Sequence, residues 1–403
     1  MFNRVLEFLK TETIRRTFHY YFLFIYLGLS LGISGPTLPA LAEQTGIRLG
    51  QMGYTFLVGS IGYAFGTILG GRLLDRVRGH PVMGAGQLVS ATLIFFIPII
   101  PWFWLLLSVV FLKGISEGML NGANTLLVWT HGEKAGPYMN ALHFFFGLGA
   151  FVSPMLIAKL IDIPFGYRWA YWGIGLFGLL MGLRMLFLPG SPRPAHRRTD
   201  ENGVPRQVFY PLVFAAALYL FFYVGAEITY GGWIYTYATT LNIFSVAGAA
   251  YLTSGFWFSF TFGRLISIPV ATRFSPRQVI PVAMGGCISI LAIAMVLPAS
   301  PTLLWVLTTV LGFCMAPLWP MGFTLAGQSI KLTARLSSII LLGECMGGMF
   351  LPWLVGQVVD RSGAQAMTSL VLGSMTLNLL AFILVIQLAR RQPAAAEDLP
   401  VAA

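Results

Sequence analysis

The chain has 403 residues, of which 57% are hydrophobic and only 10% charged, far from the roughly 25% charge of an average soluble domain. With a mean hydropathy of +0.77, this excludes a soluble globular chain and reads as a polytopic membrane protein. The net charge of +11 is spread over short loops rather than gathered in a patch, which argues against a nucleic-acid partner and for orientation in a lipid bilayer.

Apolar segments of about 20 residues run over 18–41, 52–74, 81–99, 102–127, 138–161, 167–188, 209–236, 246–270, 279–298, 303–328, 336–359 and 365–388, each long enough for a bilayer core of about 30 Å. Their apolarity is continuous, without the period-2 alternation of barrel strands, so the expected fold class is all-α integral membrane with 12 transmembrane helices. With a cytoplasmic N-terminus, 20 of the 25 Lys and Arg fall inside, Arg264 and Arg335 among them. Only Arg48, Lys159, Arg168 and Arg361 fall outside, and Lys113 lies within a span. Both termini are therefore expected in the cytoplasm. Residues 1–17 are charged and amphipathic, with no cleavage site after a short apolar core, so no removable signal peptide is expected. The absence of any Asn-x-Ser/Thr sequon favours a bacterial inner membrane. Cys287, Cys314 and Cys345 fall inside spans without metal-ligand spacing and read as small buried apolar side chains.

Taken in chain order, the fourth span is the first to carry charge at depth. Lys113, Glu117, Asn121 and Asn124 fall within an arc of roughly 80° at 100° per residue, one polar stripe on an otherwise apolar helix. A charge at mid-bilayer costs about 2.5–3.5 kcal/mol on insertion scales, so the stripe predicts a polar path inside a bundle. Lys113 and Glu117, four residues apart, form an expected ion pair, and Glu117 is the candidate ion-coupling carboxylate. On the fifth span Asn140 and His143 lie one turn apart, at a depth expected to match Asn121 and Asn124. A polar segment, 189–208, then divides the spans six and six. The expected domains are a six-helix bundle over 1–188, a cytoplasmic linker over 189–208 and a second bundle with a short tail over 209–403. The seventh span carries Glu227. The tenth holds Trp319 between two prolines in Ala316-Pro317-Leu318-Trp319-Pro320, which predicts a broken helix open to a cavity, and ends near Gln328. Glu344 in the eleventh span is expected in its cytoplasmic third, closing an inner gate or pairing with Arg335.

The halves repeat. Gly71-Arg72-Leu73-Leu74 returns as Gly263-Arg264-Leu265-Ile266, and Gly149, Pro154 and Asp162 return as Gly347, Pro352 and Asp360 at a constant offset of 198. Two duplicated six-helix halves resemble the major facilitator superfamily, in which sites lie near the midplane between the halves. The loop Gly71-Arg72-Leu73-Leu74-Asp75-Arg76-Val77-Arg78-Gly79-His80 is similar to that superfamily's loop between its second and third helices, with the second glycine displaced by one residue. The resemblance makes Asp75 and Arg76 gating candidates that tie cytoplasmic helix ends together.

Tyr223-Val224-Gly225-Ala226-Glu227 followed by Tyr230-Gly231-Gly232-Trp233, with the run Asn140 to Gly147, resembles the fucose/galactose/glucose to proton symporter family and its sodium-linked glucose relatives. That implies a secondary active transporter for a monosaccharide, coupled to a proton or sodium ion, with no other cofactor and no partner chain. The first span departs from the family, carrying only Ser30 and Ser34 where proton-coupled members carry an acidic residue. Sugar recognition calls for amides and carboxylates against hydroxyls, supplied here by Asn121, Asn124, Asn140, His143, Glu227 and Gln328. An aromatic face against C–H groups is supplied by Trp233, Trp257, Trp319 or Trp353. The alternative is an exporter of amphipathic compounds by cation antiport. Enzymatic function is not expected, since no phosphate loop, His-Glu-x-x-His pair or nucleophile elbow occurs.

Overall fold

A computed structural model describes residues 12–192, 210–329 and 334–391. Most of the expected linker lies outside the described residues. The first six spans form α1 (Glu12–Gly32), α2 (Ser34–Thr45), α3 (Gly53–Leu74), α4 (Gly79–Phe96), α5 (Phe103–Leu120), α6 (Ala123–His131), α7 (Ala135–Leu160) and α8 (Gly166–Leu186). A single 3-10 turn, Leu49–Met52, leads into α3. The remaining spans form α9 (Tyr210–Thr240), α10 (Val246–Arg273), α11 (Pro276–Val296), α12 (Pro301–Met315), α13 (Leu318–Ser329), α14 (Ala334–Ser362) and α15 (Ala366–Arg391).

Every expected span is thus helical, and three are interrupted. The first bends by 49° between α1 and α2, where Pro36 cannot donate to the Gly32 carbonyl. The fourth breaks at Asn121-Gly122, where the amides of Asn121 and Gly122 turn back to Gly118 and Met119 in tighter i to i−3 bonds. The tenth breaks at Ala316-Pro317 between α12 and α13. Among the described residues ten spans are long and apolar enough to cross a membrane, and the bent α1–α2 pair makes eleven. The twelfth, α10, has the length but falls short in apolarity because it carries Thr253, Ser254, Ser259, Thr261 and Arg264.

Pairing of the helices follows the repeat. α1 packs on α7 as α9 packs on α14, α3 on α5 as α10 on α12, and α4 on α8 as α11 on α15. Two further packings, α7 with α10 and α14 with α3, join one half to the other.

The driving force for these packings is backbone proximity, because lipid tails are as apolar as the side chains and give helices no hydrophobic reason to associate. On α3 and α5 the carbonyls of Gly59, Phe111, Tyr63 and Ile115 lie so near Gly114, Gly62, Gly118 and Gly66 that a Cβ on any of those four glycines would meet oxygen at 1.9–2.3 Å. The repeated glycines behave alike: a Cβ on Gly149 would stand 2.2 Å from the Ile25 carbonyl oxygen, and one on Gly347 would stand 1.9 Å from that of Phe221. Replacing either glycine by valine is expected to cost about 1–3 kcal/mol of stability by overpacking, with similar losses at both positions. Thermal unfolding of the two purified variants checks this, and an unaffected Gly347→Val would show that α9 and α14 do not need the contact.

Candidate functional site

Two polar clusters flank the seam between the halves. In the N-terminal half, Lys113 Nζ donates to Glu117 Oε2 at 2.8 Å, confirming the expected i,i+4 pair, each side chain being only 13% exposed. Ser30 on α1 donates to Glu117 Oε1 at 2.5 Å, and Ser90 on α4 donates to the same oxygen at 3.3 Å. Ser90 also shares a 2.7 Å bond with Tyr26. Glu117 is therefore held from three spans. Of the two serines that the first span offers, Ser30 is the one that reaches it. One turn on, the helix break lets Asn124 Nδ2 donate to Asn121 Oδ1 at 2.7 Å and to its carbonyl at 3.0 Å. Asn124 Oδ1 is left buried without a partner.

In the C-terminal half, Glu227 on α9 is buried, beside the Tyr223 hydroxyl and within electrostatic range of Arg264. Glu344 on α14 accepts a 2.9 Å bond from the Trp319 indole and lies in range of both Glu227 and Arg264. Arg264 stacks 4.5 Å over the Phe260 ring one turn before it, and its Nε is buried without a hydrogen-bond partner. His143 reaches into this cluster from α7 of the other half: its ring lies 6.5 Å from that of Trp319, 5.6 Å from Phe24, and within range of Arg264. Trp319 in turn stacks on Phe323 at 5.5 Å. The proline break positions this indole, and two tyrosines of α9 secure the break, Tyr219 donating to the Leu318 carbonyl at 2.8 Å and Tyr223 to that of Met315 at 3.0 Å.

The structure revises several expectations. Arg264, counted among cytoplasmic-end charges, lies within α10 nine residues before its end and is a fifth charge inside a span. Glu344 is not engaged at the inner helix end. It sits in the cluster with Trp319, while the Arg335 side chain lies outside the described ones. Trp233 is buried against Phe56 and donates to the Pro352 carbonyl at 3.1 Å, so it packs the seam and offers no free face. Gln328 is exposed in the last turn of α13 and Asn140 is exposed on α7, neither joined to a cluster by a described bond. Asp75 and Arg76 are exposed at the end of α3, with no ion pair among the described residues.

A seal closes the seam at the helix ends that the charge bias assigns outside. Gly50 N–H donates to Asp360 Oδ1 at 2.9 Å, Arg48 approaches the same carboxylate at 3.9 Å, and Gly356 lies against the Gly50 and Gly53 backbone. Ser254 on α10 donates to the Phe151 carbonyl of α7 at 2.5 Å, and Gly147 abuts Thr261. His143 and Arg264 each lie one turn further in, so the polar cluster begins where the seal ends.

Known proteins align with most of this chain. The family model of the Major Facilitator Superfamily matches residues 20–352. Sodium-dependent glucose transporter 1A of Mus musculus is 31% identical over 83% of this chain and 88% of its own length. Sodium-dependent glucose transporter 1 of Homo sapiens is 29% identical over 83% of this chain and 71% of its own. Among solved structures, a nucleoside transporter superposes with a TM-score of 0.74 at 13% identity, covering 93% of this chain and all of its own, 100%. A bacterial homologue of the human lysosomal transporter Spinster, in an inward-facing and occupied conformation, superposes at 0.70 and 13% identity, covering 93% of this chain and 96% of its own. At that identity these two likenesses concern the fold alone.

A charge-assisted bond from a carboxylate to a peptide N–H contributes about 1.5–3 kcal/mol, so Asp360 is expected to hold the outer ends together. Spin labels at the exposed positions Ile163 and Gln365, one in each half, report that separation. Asp360→Ala is expected to add a population at longer distance, and an unchanged distribution would deny the carboxylate a latching role.

Proposed function

The chain belongs to the major facilitator superfamily, and on that premise we propose that it is a secondary transporter carrying a monosaccharide across the membrane by alternating access, driven by a proton or sodium gradient. The observation that carries this reading is the convergence of side chains from both halves at the inner edge of the seal. His143 comes from one half, and Trp319, Glu344, Glu227 and Arg264 come from the other. A ligand touching both sides is sensed by both, which is what a rocking mechanism requires.

The chemistry suits a hydroxylated ring. The stacked Trp319 and Phe323 present an aromatic face to C–H groups, and carboxylates, a guanidinium and an imidazole present acceptors and donors to hydroxyls. The Asn121–Asn124 amide pair adds a buried acceptor still lacking a donor, which a hydroxyl would satisfy. Glucose transport by the relatives in mouse and human supports the same substrate class. In this reading the outer seal holds the protein open towards the cytoplasm, and breaking the Asp360 and Gly356 contacts accompanies the opposite state. The protein would work as a monomer in the cell membrane, a bacterial inner membrane in this reading, with both termini cytoplasmic.

Proteoliposomes holding the purified protein are expected to accumulate radiolabelled hexose when a proton or sodium gradient is imposed. Trp319→Ala is expected to weaken uptake about 10-fold or more through loss of roughly 1.4 kcal/mol or more of stacking and bonding. Hexose uptake indifferent to both gradients would remove the coupling. Absent hexose uptake together with transport of amphipathic cations would replace the sugar by an export function.

A further inference from the structure

The buried charges of the two halves are not equally balanced. Lys113 and Glu117 match one to one, and Ser30 and Ser90 take up the second carboxylate oxygen. Across the seam two carboxylates, Glu227 and Glu344, lie within electrostatic range of one guanidinium, that of Arg264. The groups facing them come from several elements: Trp319 of α13 bonded to Glu344, Tyr223 beside Glu227, Arg264 of α10, His143 of α7, Tyr63 of α3, and Cys345 next to Glu344 on α14. Arg264 is the one fixed cation among them. An uncompensated carboxylate inside a membrane is costly, and among the described residues the shortfall is one positive charge.

We infer that the driving cation, a proton or a sodium ion, is taken up in the C-terminal half, at Glu344 beside Glu227 and Arg264, and not at the Lys113–Glu117 pair. This rests on the reading of the protein as a gradient-driven transporter and adds the place where the gradient enters. Glu344 is bonded to the indole that faces the ligand, so a cation arriving at the carboxylate competes with Trp319 for it and alters the sugar-facing surface directly. In the N-terminal half Glu117 has no such opening, because its counter-ion and two hydroxyls already occupy it.

The test uses purified full-length protein without sugar, so it is independent of which substrate is carried. Thermal unfolding is followed in two titrations, one of pH without sodium and one of sodium at fixed pH with N-methylglucamine as the replacement ion. The wild type is expected to gain about 2–4 °C with one of the two cations, which identifies it. Glu344→Gln is expected to lose the gain, and the charge-neutral double replacement Lys113→Met with Glu117→Gln to keep it. Arg264→Gln, leaving two carboxylates with no guanidinium, is expected to respond at a cation concentration about 10-fold lower, since stronger uncompensated charge binds the cation more tightly. If Glu344→Gln does not fold, the displaced response of Arg264→Gln carries the same test. A gain that survives in Glu344→Gln, one abolished only by the double replacement, an unmoved response in Arg264→Gln, or a wild type indifferent to both cations each overturns the proposal.

Discussion

Charge held inside a bilayer must find its counter-charge within the protein, and the arrangement of this molecule follows from that requirement. Glu117 needs Lys113 on its own helix and hydroxyls from two others, so α1, α4 and α5 are committed to one another at mid-depth. Glu344 is bonded to the Trp319 indole and, with Glu227, lies within electrostatic range of Arg264, so α13 is tied to α14 with α9 and α10 alongside. Apolar packing alone would leave these helices free to slide, because lipid competes for the same surfaces. The charges supply the register, and the glycines let neighbouring backbones come near one another.

The spans, their helicity and the doubling of the chain were all legible in the sequence, because each is a property of long segments or repeated spacings. So was the Lys113–Glu117 pair, which needs only helical periodicity. Contacts across the bundle were not. Nothing in the local pattern joins position 30 to position 117, or position 319 to position 344, and both bonds depend on how helices distant in sequence are placed. Arg264 shows how a repeat can mislead. Its Gly-Arg-Leu context matches that of Arg72, yet α3 ends two residues after Arg72 whereas α10 runs on for nine after Arg264. Phe260, one turn before Arg264 and stacked under it, was the available sign that this arginine is inside. Gln328 illustrates the reverse error, an amide that the composition of its span made attractive and that the end of α13 leaves in the open.

The two halves repeat in pairing but not in detail. The fourth and tenth spans, equivalent by the repeat, both break, one at Asn121-Gly122 and the other at Ala316-Pro317. The first and seventh, also equivalent, differ: α1 and α2 are bent by 49°, while α9 runs unbroken for 31 residues. The asymmetry matches the difference in chemistry, a closed ion pair with an amide pair on one side and an indole, two carboxylates and a guanidinium on the other.

The unbroken helix has a mechanical consequence. Tyr219 and Tyr223 grip the two sides of the tenth-span break by their hydroxyls, at Leu318 and Met315. The joint between α12 and α13 is therefore held on both sides by α9, a single uninterrupted helix of 31 residues. In the proposed cycle, a tilt of α13 that follows Trp319 is passed by those hydroxyls along α9 to Trp233, which bonds the Pro352 carbonyl and packs on Phe56 in the outer seam. In that proposed cycle, filling the inner cluster and loosening the outer seam are coupled through a single helix, α9.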